Sequence, residues 1–507
     1  MAIAFDHGIQ VGRENHAGML PVVRRILDPD YLPGDFGIAI RAHHHRVFAW
    51  VVAMLSASGL GENGAFALLT VAGYALLFGG LWRLGAVAGL APERRLLLGV
   101  LLACGGLFLD HGVEANRLLG NGPIMPPTFA HAFLLFSLAE LAQRRWNMAL
   151  AWGGAVLLVH LQIGAIWTLV LALALLRDGA WRSPGAWLPG LGALLAICSP
   201  ALLDLLALAR EGLARGIGRL DDVALRMPQH FEFNPGRVLA VALYLGALLW
   251  WSRRWYRAGD ARAARFLPLA FVATLLAAFT ALHYLDYYLL HTGWLARIQL
   301  LRLSMFVPLL GATALLAALP RREAPAAATR QRRWLLAVAA AVVSLGLANL
   351  YREHEPPSLR IVDASRTDAP WQDVCRWVRE HGPRGVYVTP PGQTGFTAFS
   401  GRSTVVEFKI NPDGGAGLAE WSRRLRDVTG GALPDASTRG DAARALDQRY
   451  AAAPPTAFAA LARKYGVRTA VAPLEGRVRG RELYRNAAYR VVQLPTPGTA
   501  ALAQRPR

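Results

Sequence analysis

The chain has 507 residues, of which 54% are hydrophobic, and a formal net charge of +20. The charge is nearly all arginine (Lys409 and Lys464 are the only lysines) and lies between apolar blocks, as the positive-inside rule demands of a membrane protein. That pattern argues against a nucleic-acid partner. Three cysteines, Cys104, Cys198 and Cys375, two of them inside apolar blocks, argue against a disulfide framework or a thiolate metal site.

No secretory signal precedes the first loop, and Met1–Phe5 reads as the last turn of a helix, so a further span is expected upstream of Met1. The stretch "RRILDPDYLPGDFGI", residues 24–38, places Asp28, Asp30 and Asp35 among Pro29, Pro33 and Gly34. Such residues fix tight turns, so these carboxylates sit on a short, stiff loop. Carboxylates held in this way can act as a general base or hold a divalent cation such as Mg or Mn. The plainer alternative is that Asp28 caps a turn and Asp35 caps the next helix. His43, His44 and His45 read as a solvated face ahead of "RVFAWVVAMLSASG", which is too short to cross a bilayer and is expected to lie in its interface.

Ten candidate spans follow, near 64–82, 95–109, 126–142, 147–160, 163–176, 187–207, 237–252, 266–284, 300–319 and 334–350. The fourth and fifth are short enough to form one helical hairpin. One set of connections holds seventeen arginines: Arg83, Arg94, Arg95, Arg144, Arg145, Arg177, Arg182, Arg253, Arg254, Arg257, Arg262, Arg265, Arg321, Arg322, Arg330, Arg332 and Arg333. This set is expected to face the cytoplasm, which leaves residues 1–63 and the chain beyond 355 on the periplasmic side of a bacterial inner membrane.

The histidines and acids near membrane depth gather on the opposite ends. Asp110, His111 and Glu114 follow the second span, and His131 opens the third. His160 and Gln162 lie at the end of the fourth, and Asp204 near the end of the sixth. Arg226, His230 and Glu232 lie in "RMPQHFEFNPGR". His283, Asp286, His291, Arg297, Gln299 and Arg302 surround the eighth-to-ninth connection. Ionisable groups at this depth are costly unless they pair or line a wet cavity, so their one-sidedness predicts a polar chamber. Taken singly, His131 or His160 reads as a hydrogen-bonded helix end. No HExxH, GxSxG or P-loop occurs, and no internal repeat points to a transporter.

Beyond residue 355 the pattern changes. A helix, the strand "GVYVTP", a Gly-rich loop and the strand "STVVEFK" are followed by an amphipathic helix "LAEWSRRLRDV". "PTAFAALARKYGVRTAVAPL" repeats helix-then-strand, and "LYRNAAYRVVQLP" ends in a strand. This alternation predicts a small α/β domain. "PPGQTGFTAFSGRS" is either a plain loop or a substrate-contacting one, with Arg402 reaching an anionic group. The expected organisation is a polytopic α-helical membrane protein of about ten spans: a first loop (1–63), a membrane domain (64–350) and a C-terminal α/β domain (355–507).

The acid-bearing first loop, the many spans and the outer domain together resemble the GT-C superfamily of membrane glycosyltransferases. "ENHAGMLP" before "LDPDYLPGD", the loop "RMPQHF", and "WQDVCRWVRE" through "GRSTVVEFK" look like an uncharacterised bacterial family of such proteins. The entry to the outer domain is also similar to that of the oligosaccharyltransferase catalytic subunit, but "TPPGQTGF" stands where that enzyme carries WWDYG. The resemblance implies inverting transfer of a sugar from a polyprenyl-phosphate donor to a periplasmic acceptor. Such transfer needs a base for the acceptor hydroxyl and a cationic clamp for the leaving phosphate. By position, Asp35, Asp28, Glu14 and His16 are candidates for base or metal, and Arg297 and Arg302 for the clamp. Arg226 and His230 are second candidates for the clamp, and His160, Asp110 and Arg402 complete the expected substrate-binding set. The alternatives are a non-catalytic protein that binds lipid-linked glycan or assists envelope assembly, and a transporter.

Overall fold

The structure, a computed structural model, describes residues 9–12, 15–41, 43, 45–103, 109, 111–113, 118–119, 123–215, 224–320, 329–330, 333–334, 337, 340, 361–363, 369–410, 412, 415–431, 433–434 and 441–495. The chain forms two compact units. One comprises Met1–Ile9, Ala67–Leu205 and Gln229–Arg360, and the other Gln10–Phe66, Leu206–Pro228 and Ile361–Arg507. Set beside the expected division into residues 1–63, 64–350 and 355–507, the acidic first loop shares a unit with the C-terminal domain, and residues 206–228, expected within the membrane domain, lie in that unit too.

The first unit is helical. Its helices include Pro92–Ala103, Pro126–Ala142, Trp146–Val159, Leu161–Arg177, Pro235–Arg257, Arg262–Tyr284 and Phe306–Ala318. It also takes Gly61–Val87 from Ala67 onward and Leu188–Arg215 as far as Leu205. Among the described residues, five apolar stretches are long enough to cross a membrane: Arg46–Val87, Leu188–Ala207, Pro235–Arg257, Arg262–Leu290 and Leu300–Ala318. Ten were expected. Pro126–Ala142 has 17 residues, Trp146–Val159 14 and Leu161–Arg177 17. At 1.5 Å per residue these reach about 21–26 Å, short of a ~30 Å hydrocarbon layer. The expected span at 334–350 lies almost wholly outside the described residues.

The three short helices are tied together by buried polar groups. Ser137 donates to the Ala149 carbonyl at 2.7 Å and accepts from the Trp167 indole at 2.9 Å. A Cβ on Gly164 would meet the Leu157 Cα at 2.2 Å, so only glycine lets the second and third helices close this tightly around His160. At the arginine-rich end, Glu140 pairs with Arg83 at 3.0 Å and Arg145 at 3.5 Å. Arg94 caps the end of Phe306–Ala318 by donating to the carbonyls of Leu316, Leu319 and Pro320.

In the second unit, strands β1 (Ile9–Val11) and β2 (Ile361–Asp363) form a two-stranded sheet. Strands β3 (Val386–Val388), β4 (Ser403–Thr404), β5 (Thr469–Pro473), β6 (Arg481–Arg485) and β7 (Tyr489–Gln493) form a mixed sheet in the order β4-β3-β5-β7-β6. β3 is parallel to β4 and β5, whereas β7 is antiparallel to β5 and β6. The expected helix-then-strand alternation appears as Ala369–His381 before β3 and Pro455–Tyr465 before β5. The closing β6–β7 hairpin was not anticipated, because its first strand, "RELYR", is charged and largely exposed at the sheet edge.

Residues 10–66 pack onto this domain through specific side chains. Phe36 lies under the Arg424 guanidinium at 4.0 Å, and Arg24 is bidentate to Glu62 at 2.7 and 2.8 Å while also donating to the Ala398 carbonyl. The segment read as interfacial forms the helix Arg46–Leu55, which buries Phe48, Ala49, Val52 and Ala53 and exposes Trp50, Val51 and Met54. It continues through a π-turn, Ser56–Leu60, broken at Gly59 (φ 101°), into Gly61–Val87.

Candidate functional site

Arg302 organises the polar end of the first unit. It lies in a short turn, Leu300–Leu303, which Gln299 enters in the left-handed region (φ 54°). Its Nη1 is 3.3 Å from His160 Nε2, its Nη2 is 3.4 Å from His230 Nε2, and its Nε donates to Gln299 Oε1. His160, His230 and Gln299 are all buried. The two histidine contacts are long for hydrogen bonds.

His160 carries a further demand. It ends Trp146–Val159 and caps Leu161–Arg177, its Nδ1 facing the Ile163 amide at 3.4 Å as acceptor. A guanidinium has only N–H donors, and a neutral imidazole has one acceptor nitrogen. The ring therefore cannot accept from both Ile163 and Arg302. If Nδ1 keeps the cap, Nε2 carries the proton, and two donors from His160 and Arg302 face one another. An oxyanion set beside the pair would accept from both. The N-terminus of a 17-residue helix adds a favourable potential for negative charge there.

Around this cluster, Gln162 donates to the Ile298 carbonyl at 2.8 Å, and buried Asp286 accepts from the Thr292 hydroxyl. His283 is enclosed against the Phe231 ring, and His131 pairs with the Leu118 carbonyl at 3.1 Å. Of the expected substrate-binding set, Arg302, His230 and His160 come together. Asp110 and the Arg297 side chain lie outside the described residues.

The remaining candidates lie in the second unit. Asp35 is buried and caps the short helix Phe36–Ile40, its Oδ1 accepting from the Ile38 amide at 2.9 Å. Its Oδ2 is enclosed beside Ser403 and Thr404 without a fully formed hydrogen bond, and burial holds the carboxyl above its ordinary range against the Ile38 amide. Asp28 is exposed on a turn, where Oδ1 accepts from the Asp30 amide at 3.0 Å. Both acids thus adopt the capping roles weighed above. His16 is buried and stacked on Phe66 at 3.9 Å, and Glu14 lies outside the described residues. Arg226 donates to the Lys409 carbonyl at 3.1 Å, over the Phe408 ring. Arg402 turns to the carbonyls of Gly401, Arg379 and Gly382. Among the described residues no three His, Cys, Asp or Glu side chains are arranged to hold a metal ion, so no step is derived through one.

Two acids that sequence reasoning passed over are more consequential in this unit. Glu407 is fully enclosed and accepts from the amides of Gly395 (2.7 Å) and Thr397 (3.1 Å). Burial, with the Asp35 carboxyl nearby, pushes it up to about 7. Asp447 accepts from the Gly392 amide (2.7 Å) and the Gln393 side chain (3.0 Å), and burial pushes it up to about 6. The Trp371 indole donates to the Thr394 carbonyl at 3.0 Å. The Gly-rich loop "PPGQTGF" is therefore stapled along its length by side chains from three separate elements. Gly395, at φ 84°, supplies the turn. No signal in "STVVEFK" distinguishes Glu407 from a surface acid.

Among curated proteins none matches the chain. Residues 369–428, which hold Trp371, the stapled loop and Glu407, match the family described as Domain of unknown function (DUF6798).

Proposed function

We propose that the chain is a multi-pass membrane glycosyltransferase of the GT-C kind, in which the Arg302 cluster holds the phosphate of a polyprenyl-phosphate sugar. The observation that carries this is the convergence of Arg302, His160 and His230 at the polar end of the helical unit, where a guanidinium and two imidazoles can offer N–H donors to one anion. In the reaction, a base takes the acceptor hydroxyl proton and the acceptor oxygen bonds to the anomeric carbon. The bond from that carbon to the phosphate oxygen breaks, and its electron pair goes to the phosphate. Preorganised donors aimed at that developing charge favour the transition state over the ground state. In this reading the arginine-rich connections face the cytoplasm, which favours an acceptor on the periplasmic side of a bacterial inner membrane. Asp28 is the carboxylate of the expected pair that solvent reaches, whereas Asp35 is enclosed.

The test uses the full chain in nanodiscs with farnesyl phosphate as probe and farnesol as control. Arg302→Gln should weaken farnesyl phosphate binding by about thirtyfold, as expected for loss of charge-assisted hydrogen bonds, and leave farnesol unaffected. Equal binding of the phosphate by both proteins would remove the reading. Mass spectrometry of envelope glycans after deletion of the gene then separates transfer, in which a defined sugar disappears, from binding alone.

A further inference from the structure

We infer that Tyr288, backed by Tyr284, is a positioning residue that sets His230 against Arg302; this rests on the phosphate-clamp reading above. His230 ends a short turn, Pro228–His230, and the three residues that follow it are held from the end of the helix Arg262–Tyr284 and the π-turn that continues it. The Tyr288 hydroxyl donates to the Phe231 carbonyl at 2.7 Å and accepts from the Phe233 amide at 3.1 Å, so both its hydrogen-bonding functions close on the same loop. The Tyr284 hydroxyl donates to the Glu232 carbonyl at 3.3 Å. The rings add to this hold: Phe231 packs against Tyr287 at 5.0 Å and His283 at 5.7 Å, and Phe233 meets the edge of Tyr284 at 5.4 Å.

Tyr288 lies in a π-turn, Leu285–Leu290, at the end of Arg262–Tyr284, and His291 closes that turn in the left-handed region (φ 52°). π-turns are costlier than α-helix and recur where a side chain must be aimed. The object aimed here is the loop that presents His230. The His230–Arg302 contact is already 3.4 Å, so a small drift of the loop would end it. A phenylalanine at 288 would keep the ring beside Tyr287 (4.9 Å) and remove both hydrogen bonds to the loop. The Tyr288 hydroxyl is committed to the loop through both its donor and its acceptor function, so its effect passes through His230.

A double-mutant cycle in nanodiscs, read by farnesyl phosphate binding, tests this. Tyr288→Phe should weaken binding about five- to tenfold, the size of one or two net hydrogen bonds. His230→Gln should weaken it similarly, and the double variant should lose no more than either alone. Farnesol binding, which does not use the clamp, should be unchanged in both single variants. Additive losses, or a Tyr288→Phe protein that binds normally while His230→Gln does not, would overturn the inference and leave the clamp intact. Unchanged binding in Arg302→Gln would instead bring down the clamp. Should Tyr288→Phe fail to fold, Tyr284→Phe, which loses the single bond to Glu232, enters the same cycle with a smaller expected loss, and additivity there overturns the proposal equally.

Discussion

The acids at the Gly-rich loop of the second unit and the Arg302 cluster of the first meet their partners at very different range. In the second, each acid at the Gly-rich loop is met by N–H donors at short range: Glu407 by Gly395 and Thr397, Asp447 by Gly392 and Gln393. In the first, Arg302 faces two imidazoles at 3.3 and 3.4 Å, contacts long enough to be given up. Groups saturated by backbone donors already do their work in the folded chain. Groups that meet at such distances can shift to admit a bound anion without giving up a short hydrogen bond.

That contrast can be broken most forcefully at Glu407. Replacement by alanine would leave two buried amides without acceptors, costing about 3 kcal/mol. Hydrogen exchange at Gly395 and Thr397 should accelerate accordingly, and an unchanged rate would mean that the staple carries no weight. The next effect is one of pH. Because the carboxyl of Glu407 lies at about 7 in the fold, above its ordinary value, protonation favours the folded form. Stability of the loop is therefore greatest below about pH 4.5 and declines as pH rises toward 7, by about 3 kcal/mol over the interval. Asp447, at about 6, acts in the same direction. Exchange corrected for its intrinsic pH dependence should show this decline, and Glu407→Gln should remove the Glu407 share and leave that of Asp447. Asp35→Ala should cost about 1 kcal/mol through its lost cap, and Asp35→Asn, which can still cap, much less. If Asp35→Asn abolished sugar transfer without altering exchange, its carboxylate would belong with the chemistry and the contrast would have to be redrawn. Asp28→Ala, on an exposed turn, should shift stability by only a few tenths of a kcal/mol.

What the sequence makes legible follows the range of the physics involved. Apolar blocks bounded by charge are local, and helices stand where they were expected: 126–142 as Pro126–Ala142, 266–284 within Arg262–Tyr284. The caps at Asp28 and Asp35 are equally local, and both were foreseen as alternatives to catalysis. Arg302, His160 and His230 could be named because polar residues at membrane depth are costly enough to be conspicuous. Their convergence, from positions as far apart as 160 and 302, could not be read from spacing. Glu407 and Asp447 were invisible for the opposite reason: an acid in an amphipathic α/β pattern reads as surface until the tertiary contacts that enclose it are known. Tyr284 and Tyr288 carry no distinguishing signal in the sequence, since nothing local reports where a hydroxyl will find its partners.

The one-residue connection at His160 has a consequence for membrane insertion. Its two helices pack side by side, their far ends are marked by Arg145 and Arg177, and neither reaches the length of a full crossing. Whether the pair dips into the bilayer and returns or crosses it twice, the parity of the chain is the same, and every later segment keeps its orientation. A positive charge placed in the tip, such as Gln162→Arg, should therefore disturb the local site without inverting the topology downstream.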